Sequence, residues 1–233
     1  MYWNLELLLD KNVDNVFIYK LFFILVSKGV KYNARYNGAY SIFSKNTNNN
    51  IYYKEPTIIE STEKLAEIVA RYEKFDLHTT SLVINLEYIN GIYFNFSLYV
   101  TPVINNKTLV SFSINDNSLV EEQAFLAFID VCKETFDRLG FTYGSIKNEY
   151  QDNIPLDEDT FLEKMPDVIN FYSQSLISKL GRDKLLSAPA YKVEELSNGG
   201  IMLLICNSIK NCSDYDIDRV STHLGYHVGT DWS

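Results

Sequence analysis

Cys206, Cys212, His223 and His227 are the four side chains whose types and spacing come nearest to a recognisable chemistry, the two-cysteine, two-histidine set that holds a tetrahedral zinc ion. The spacing is loose. Five residues separate the cysteines, Cys206 closes an apolar run, and Gly225 breaks the helical turn between the histidines. Buried cysteines and a surface histidine pair account for the set more simply, so no metal is expected and zinc stays as the weaker alternative. The third histidine, His78, stands alone between a helical pattern and a strand pattern, where it reads as a cap or surface group rather than a general base. The phosphate-cradling G-x-x-x-x-G-K-[ST] and G-x-G-x-x-G motifs are absent, as are H-E-x-x-H, C-x-x-C and G-x-S-x-G. No catalytic set and no cofactor are expected.

Charge is the second resource. Between Glu149 and Asp167 stand seven acidic residues, Glu149, Asp152, Asp157, Glu158, Asp159, Glu163 and Asp167, against the single base Lys164. With 30 acidic residues in the chain, some carboxylate pair always looks catalytic, so the stretch carries almost no glycosidase-like specificity. It reads as a solvated loop, as a partner-binding face built on Asp152, Asp157, Glu158, Asp159 and Glu163, or, least, as catalytic. Seventeen tyrosines form a third resource. Tyr93 and Tyr99, on the polar side of an alternating strand, can anchor a partner through an apolar ring with a polar tip, or can simply be good strand residues.

A net charge of -9 argues against direct binding to nucleic acid, which takes clustered Lys and Arg. It fits a basic partner, or plain solubility. Three cysteines give no regular framework, so structural disulfides are not expected and a reducing, cytoplasmic setting is. The apolar run Val16 to Val30 contains Lys20 and Lys28 and is too short to span a bilayer. Asp10 and Asp14 before it spoil a signal peptide.

The elements that position these residues are those of an α+β protein, an antiparallel or mixed β-sheet packed with helices on one or both faces. We expect a single domain over 1–233, with 1–147 and 148–233 as a subdivision to be tested. Tyr2 to Leu9 reads as a strand, and residues 13–29 as a helix apolar nearly all round and therefore covered on most sides. Tyr32 to Phe43 reads as extended chain and Asn46 to Asn50 as an exposed loop. A short strand at Ile51 to Tyr53 and a helix at Thr62 to Phe75 follow. From Leu82 to Ile114 the pattern is a three-stranded meander, turned by Asn90-Gly91 as a type I′ hairpin and by Asn105-Asn106. Ser118 with Glu121 reads as a capping box for a helix whose stripe is Val120, Ala124, Phe128, Val131, Phe136 and Leu139, ended by Gly140. Its stripe should lie on the dry face of the meander. Phe141 to Ile146 and Val168 to Tyr172 read as strands, Ser175 to Leu180 as a helix. Ser213 with Asp216 caps a last helix closed by Gly225.

One region carries a family resemblance. Phe171-Tyr172, the run Ser178-Lys179-Leu180-Gly181-Arg182-Asp183-Lys184-Leu185-Leu186-Ser187-Ala188-Pro189-Ala190, then Val193-Glu194-Glu195-Leu196 and Gly199-Gly200 resemble the C-terminal part of immunity proteins of bacterial polymorphic toxin systems. They are similar to the fifty-second numbered immunity family and its type VI secretion relatives, over residues 120–225. The resemblance implies an immunity protein that binds and neutralises a cognate protein toxin by occluding its active site or substrate surface, and it brings no catalytic residues. The toxins of such families are often nucleases, so an acidic inhibitor covering a basic cleft is electrostatically consistent. The closing block itself is punctuation and core: Gly181, Pro189 and Asn198-Gly199-Gly200 turn the chain, while Leu180, Leu185, Leu186, Val193, Leu203 and Ile205 are expected inside. Two other functions stay open, an enzyme of unfamiliar type acting on a small molecule and a phage or mobile-element inhibitor of a host defence protein. A deep pocket with convergent carboxylates separates the enzyme from the binders. Oligomeric state and toxin identity have no sequence signal.

Overall fold

Strand β6 (Tyr93–Val103) sets the pattern from which the sheet is built. Phe94, Phe96, Leu98 and Val100 are buried while Tyr93 and Tyr99 are exposed, the period-two alternation of a strand packed on one face. β5 (Thr80–Ile89) and β7 (Lys107–Asn115) flank it, both antiparallel, which is the expected meander. The two turns differ. Asn105 and Asn106 both take left-handed φ, 59° and 58°, and close the second hairpin as expected. In the first, Ile89 pairs with Tyr93, so three residues make the loop and only Gly91 has positive φ, 77°. That is a three-residue loop with a left-handed glycine, not the two-residue type I′ turn read from Asn90-Gly91.

The computed structural model describes residues 1–32, 40–44, 51–53, 64, 66, 67, 70, 80–119, 121–148, 150 and 154–226. The expected Asn-rich loop, most of the expected helix at 62–75, Val120, Glu149, Asp152, His78 and His227 lie outside them; Lys64, Ala66, Glu67 and Ala70 are helical.

Eleven strands among the described residues form one sheet, and every pairing is antiparallel. β1 (Tyr2–Leu9) lies between β7 and β8 (Tyr143–Asn148). Outward from β8 come β9 (Ile169–Tyr172), β11 (Ile201–Leu204) and the edge strand β10 (Lys192–Glu195). On the other side β5 carries β3 (Tyr40–Ser44), then β4 (Ile51–Tyr53), and β2 (Val30–Tyr32) also pairs with β5.

Helices α1 (Asn15–Ser27) and α2 (Glu122–Leu139) supply cover for the apolar face. Phe128 of α2 meets Phe94 and Phe96 of β6 edge-on, ring centroids 6.1 and 6.2 Å apart, so the helix stripe docks where the alternation predicts. Gly140 ends α2 with φ 72°. The start of α2 is not the expected capping box: Asp116–Leu119 form a separate 3-10 turn, Glu121 is the N-cap, and it makes no side-chain cap bond. α1 also departs from expectation. Phe17, Ile18, Leu21, Phe22, Ile24 and Leu25 are buried, but Val16 is 54% and Phe23 62% exposed, so this apolar helix hides one side only.

Short helices complete the chain: α3 (Glu158–Glu163), α4 (Gln174–Leu180), α5 (Arg182–Leu186) and α6 (Asp214–Leu224). Ser213 and Asp216 form the expected capping box on α6, and Gly225 ends it. Gly181 separates α4 from α5, and α5 packs on β10 and α6. Leu185 and Leu203 are fully buried as expected, whereas Leu186 is 39% exposed at the end of α5. No helix among the described residues is long and apolar enough to cross a membrane.

Candidate functional site

The second face of the sheet is polar, and antiparallel register assembles it. Across β1, β7, β6 and β5 one row reads Asn4, Ser113, Ser97, Asn85, and the next reads Glu6, Ser111, Tyr99, Val83. Ser97 Oγ donates to Asn85 Oδ1 at 2.8 Å. A groove of about 530 Å³ follows these rows, floored by Ser111 and Ser113 and walled by Glu6, Tyr99 and Tyr2. Tyr93 shares the face of Tyr99 but sits six residues back along β6, roughly 20 Å away at strand spacing, and does not line this groove.

The acidic stretch covers the neighbouring half of the same face. Residues 154–167 lie over β8 and β9 as a strap. Phe161 stacks on Tyr143, centroids 4.1 Å apart, and the Tyr143 hydroxyl reaches the carbonyls of Pro155 and Asp157. Most of the expected binding acids are used to fold it. Asp157 caps α3, its Oδ1 accepting from the Thr160 N–H at 2.8 Å, and the Thr160 N–H and hydroxyl hold its carboxyl below the ordinary range. Glu158 and Asp159 both pair with Lys179 of α4 at 2.9 Å. Burial alone would raise the Glu158 carboxyl; the Ser175 hydroxyl and Lys179 overcome it and hold the group low. Glu163 is exposed, and Asp152 lies outside the described residues. The strap is therefore a folded cover in which Asp157, Glu158 and Asp159 have partners within the chain, while Asp157, Asp159 and Glu163 remain exposed on its outer side.

Beneath it is a buried ionic cluster. Glu6 is 5% exposed, Lys147 8% and Asn170 1%, and Lys147 Nζ stands 3.5 Å from Asp167 Oδ2. The Ile154 N–H donates to Glu6 Oε2 at 2.8 Å, which ties the strap to β1. Asn170 closes the other end: its Oδ1 accepts from the Asp167 N–H and its Nδ2 donates to the Asp167 carbonyl. Burial pushes the Glu6 carboxyl up, against the Ile154 N–H and Lys147; burial likewise raises Asp167, against Lys147 and Ser145. Two carboxylates share this one buried ammonium. Free space against the cluster beside Asp167 is about 10 Å³, room for about one water and no substrate.

The cysteine half of the cysteine and histidine set departs from expectation. Cys206 and Cys212 form a disulfide, so neither is a zinc ligand, and the expectation of no structural disulfide does not hold. Among the described residues no three His, Cys, Asp or Glu side chains gather as a metal site. His223 Nε2 sits 2.9 Å from the Lys184 carbonyl and 3.2 Å from Ser187 Oγ. A nitrogen that donates to a carbonyl cannot also take a serine proton, so the pair is a helix cap and not a nucleophile with its base.

No protein-family model matches the sequence, and no curated protein matches it. Among solved structures, a Pseudomonas aeruginosa type VI secretion system protein, PA0821, aligns with TM-score 0.51 and 11% identity, covering 99% of this chain and 77% of that one. The likeness is one of fold. A chain from the structure of the toxic C-terminal tip of CdiA from Pseudomonas aeruginosa in complex with immune protein also aligns. Its TM-score is 0.36 at 14% identity, over 64% of this chain and 88% of that one. The immunity-family resemblance of the closing segment has no family-level match behind it, while the fold is one that a type VI secretion protein shares.

Sequence reading named Tyr99 but missed Glu6, Lys147 and Asn170. A signal for Glu6 existed: it is the one charge in the otherwise apolar run Leu5 to Leu9, and a lone acid there marks a buried charge. Its partners come from strands about 140 to 165 residues later, which no local pattern links to it.

Proposed function

We propose that the protein is an immunity-type binding protein that recognises a protein toxin and neutralises it by covering its active site or substrate surface, acting by binding and not by catalysis. The observation that carries this reading is the divided polar sheet face. Its β8–β9 half is closed by the chain's own strap, while the half over β1, β7, β6 and β5 is left open and is lined by serine, asparagine and tyrosine together with Glu6, Thr101, Val103 and Leu109. That composition suits protein recognition, since tyrosine supplies rigid contact area and serine and asparagine supply adaptable hydrogen bonds. The fold likeness to a type VI secretion protein and the sequence of the closing segment support the toxin as the partner class. A nuclease with a basic cleft fits the chain's net charge of -9 through long-range steering.

The test is to look for a toxin-like gene beside the gene for this chain and to co-express the two products. Growth rescue and co-purification as a stable pair are expected. Unrescued growth together with no complex on size exclusion overturns the reading.

A further inference from the structure

Resting on that binding reading, we infer that the groove over β1, β7 and β6 receives one arginine side chain presented by the partner, with its guanidinium held between the Glu6 carboxylate and the Tyr99 ring. The register makes the slot. Glu6, Ser111 and Tyr99 stand directly across three neighbouring strands, so a small serine separates two large side chains whose Cα atoms are roughly 10 Å apart. Ser111 is only 9% exposed and forms the floor; Glu6 lines one wall and Tyr99, 36% exposed, the other. Ser113 and Ser97 continue the floor toward Tyr2 with hydroxyls that can accept from a guanidinium.

Charge decides the occupant. In the cluster behind Glu6, the carboxylates of Glu6 and Asp167 face the single buried ammonium of Lys147, which lies nearer Asp167, and the exposed Lys164 acts on Asp167 alone. Where Glu6 is ionised, that charge has no cation of its own at the groove wall, and burial without a full partner is what raises its carboxyl. A buried charge is costly until paired, so a cation entering the groove gains more there than at the exposed acids of the strap, which already hold Lys179. Arginine fits better than lysine because its guanidinium is planar, weakly hydrated and stacks on an aromatic ring while donating to a carboxylate.

The test uses the full chain and a defined probe, Nα-acetyl-arginine methylamide, followed by amide chemical shifts, with the citrulline analogue as the neutral isostere. The arginine probe is expected to shift Glu6, Ser97, Tyr99 and Ser111 saturably. Citrulline, or arginine on Glu6→Gln, should bind about tenfold more weakly, the loss of a charge-assisted hydrogen bond. Tyr99→Leu should weaken binding about threefold and serves as the second variant if Glu6→Gln does not fold. Equal binding of citrulline, shifts confined to α3, or unchanged binding by both variants overturns the proposal. Because no toxin is used, a saturable arginine site with no toxin complex would sink the immunity reading and leave the groove assignment standing; a toxin complex indifferent to Glu6→Gln and Tyr99→Leu does the reverse.

Discussion

Lys147→Met tests the buried cluster most directly, because it removes the one buried cation and keeps the volume of the side chain. The Lys147 side chain is 10% and that of Asp167 21% exposed, 3.5 Å apart. At an effective dielectric of about 20 their attraction is roughly 5 kcal/mol before desolvation is counted. Removing one partner of a buried pair typically costs about 3–5 kcal/mol, since the other charge stays behind unpaired. Here two carboxylates stay behind, so the loss should lie at the upper end of that range near neutral pH.

The sign of the pH dependence is fixed by direction alone. Glu6 and Asp167 are both raised in the folded state, so between the ordinary carboxyl value and the raised one the folded chain binds more protons than the unfolded chain. Stability then falls as pH rises through that window, by up to about 1.4 kcal/mol per pH unit for each group. Without Lys147 both carboxyls rise further, which widens the window. Urea unfolding followed upward from the ordinary carboxyl range should therefore show the variant least impaired at the acidic end and most impaired at the basic end. Glu6→Gln, which removes the surplus charge and keeps an acceptor for the Ile154 N–H, should stay within about 1 kcal/mol of wild type. A Lys147→Met cost below about 1 kcal/mol near neutrality, or one that does not change with pH, would refute the shared-cation account.

Four other outcomes rest on the same geometry. Phe161→Ala removes the ring that stacks on Tyr143 and should cost about 3–5 kcal/mol or release the strap locally, seen as faster amide exchange at Ile154 with the core of α2 unchanged. Alkylation of the denatured chain without reductant should add one adduct, at Cys132, and with reductant three; Cys206→Ser should cost about 2 kcal/mol for so short a loop. Gly144→Ala places a methyl against Leu7 and 2.8 Å from the Glu6 carbonyl, so a thermal melt should report a loss of about 1–3 kcal/mol. Neutralising the strap with Asp159→Asn and Glu163→Gln should leave toxin affinity unchanged at moderate salt and slow association at low salt only; a large loss of affinity would return the acidic stretch to the role of contact surface.

The parts of the fold that could be read from sequence are those whose signal is local. Alternation in Phe94 to Val100 gave the face of β6, and the Phe128 stripe gave the packing of α2, because both periods are written within a dozen residues. Ser213 with Asp216 gave the start of α6 through a bond spanning three residues. Capping at α2 failed on the same kind of rule: the 3-10 turn Asp116–Leu119 intervenes, and the helix begins after Glu121 without a side-chain cap. Solvation of α1 failed too, since a helix apolar on every side does not say which side finds a partner, and among the described residues Phe23 finds none that buries it. The site was legible at Tyr99 alone. Pairing of β1 with β7 and β8, which brings Glu6 to Ser111 and Ser145, spans more than a hundred residues and is set by the global arrangement of the sheet.

The acidity of the chain and the location of its binding surface are separate matters. Long-range steering depends on net charge, and -9 is present wherever the individual carboxylates sit. Short-range affinity depends instead on desolvated contacts, and the strap acids offer few, since Asp157, Glu158 and Asp159 are already committed to Thr160, Ser175 and Lys179. Displacing those internal partners to reach a toxin's lysines would exchange one exposed ion pair for another at little gain. Glu6 is the opposite case: its carboxyl is already out of water, only partly compensated as an anion, and lies at the wall of an open groove, so a cation there would favour its ionised form. A strap that buries most of an ionic cluster and leaves one side of it facing Tyr99 keeps the desolvation cost inside the folding reaction, so an incoming arginine finds a carboxylate that has already lost its water.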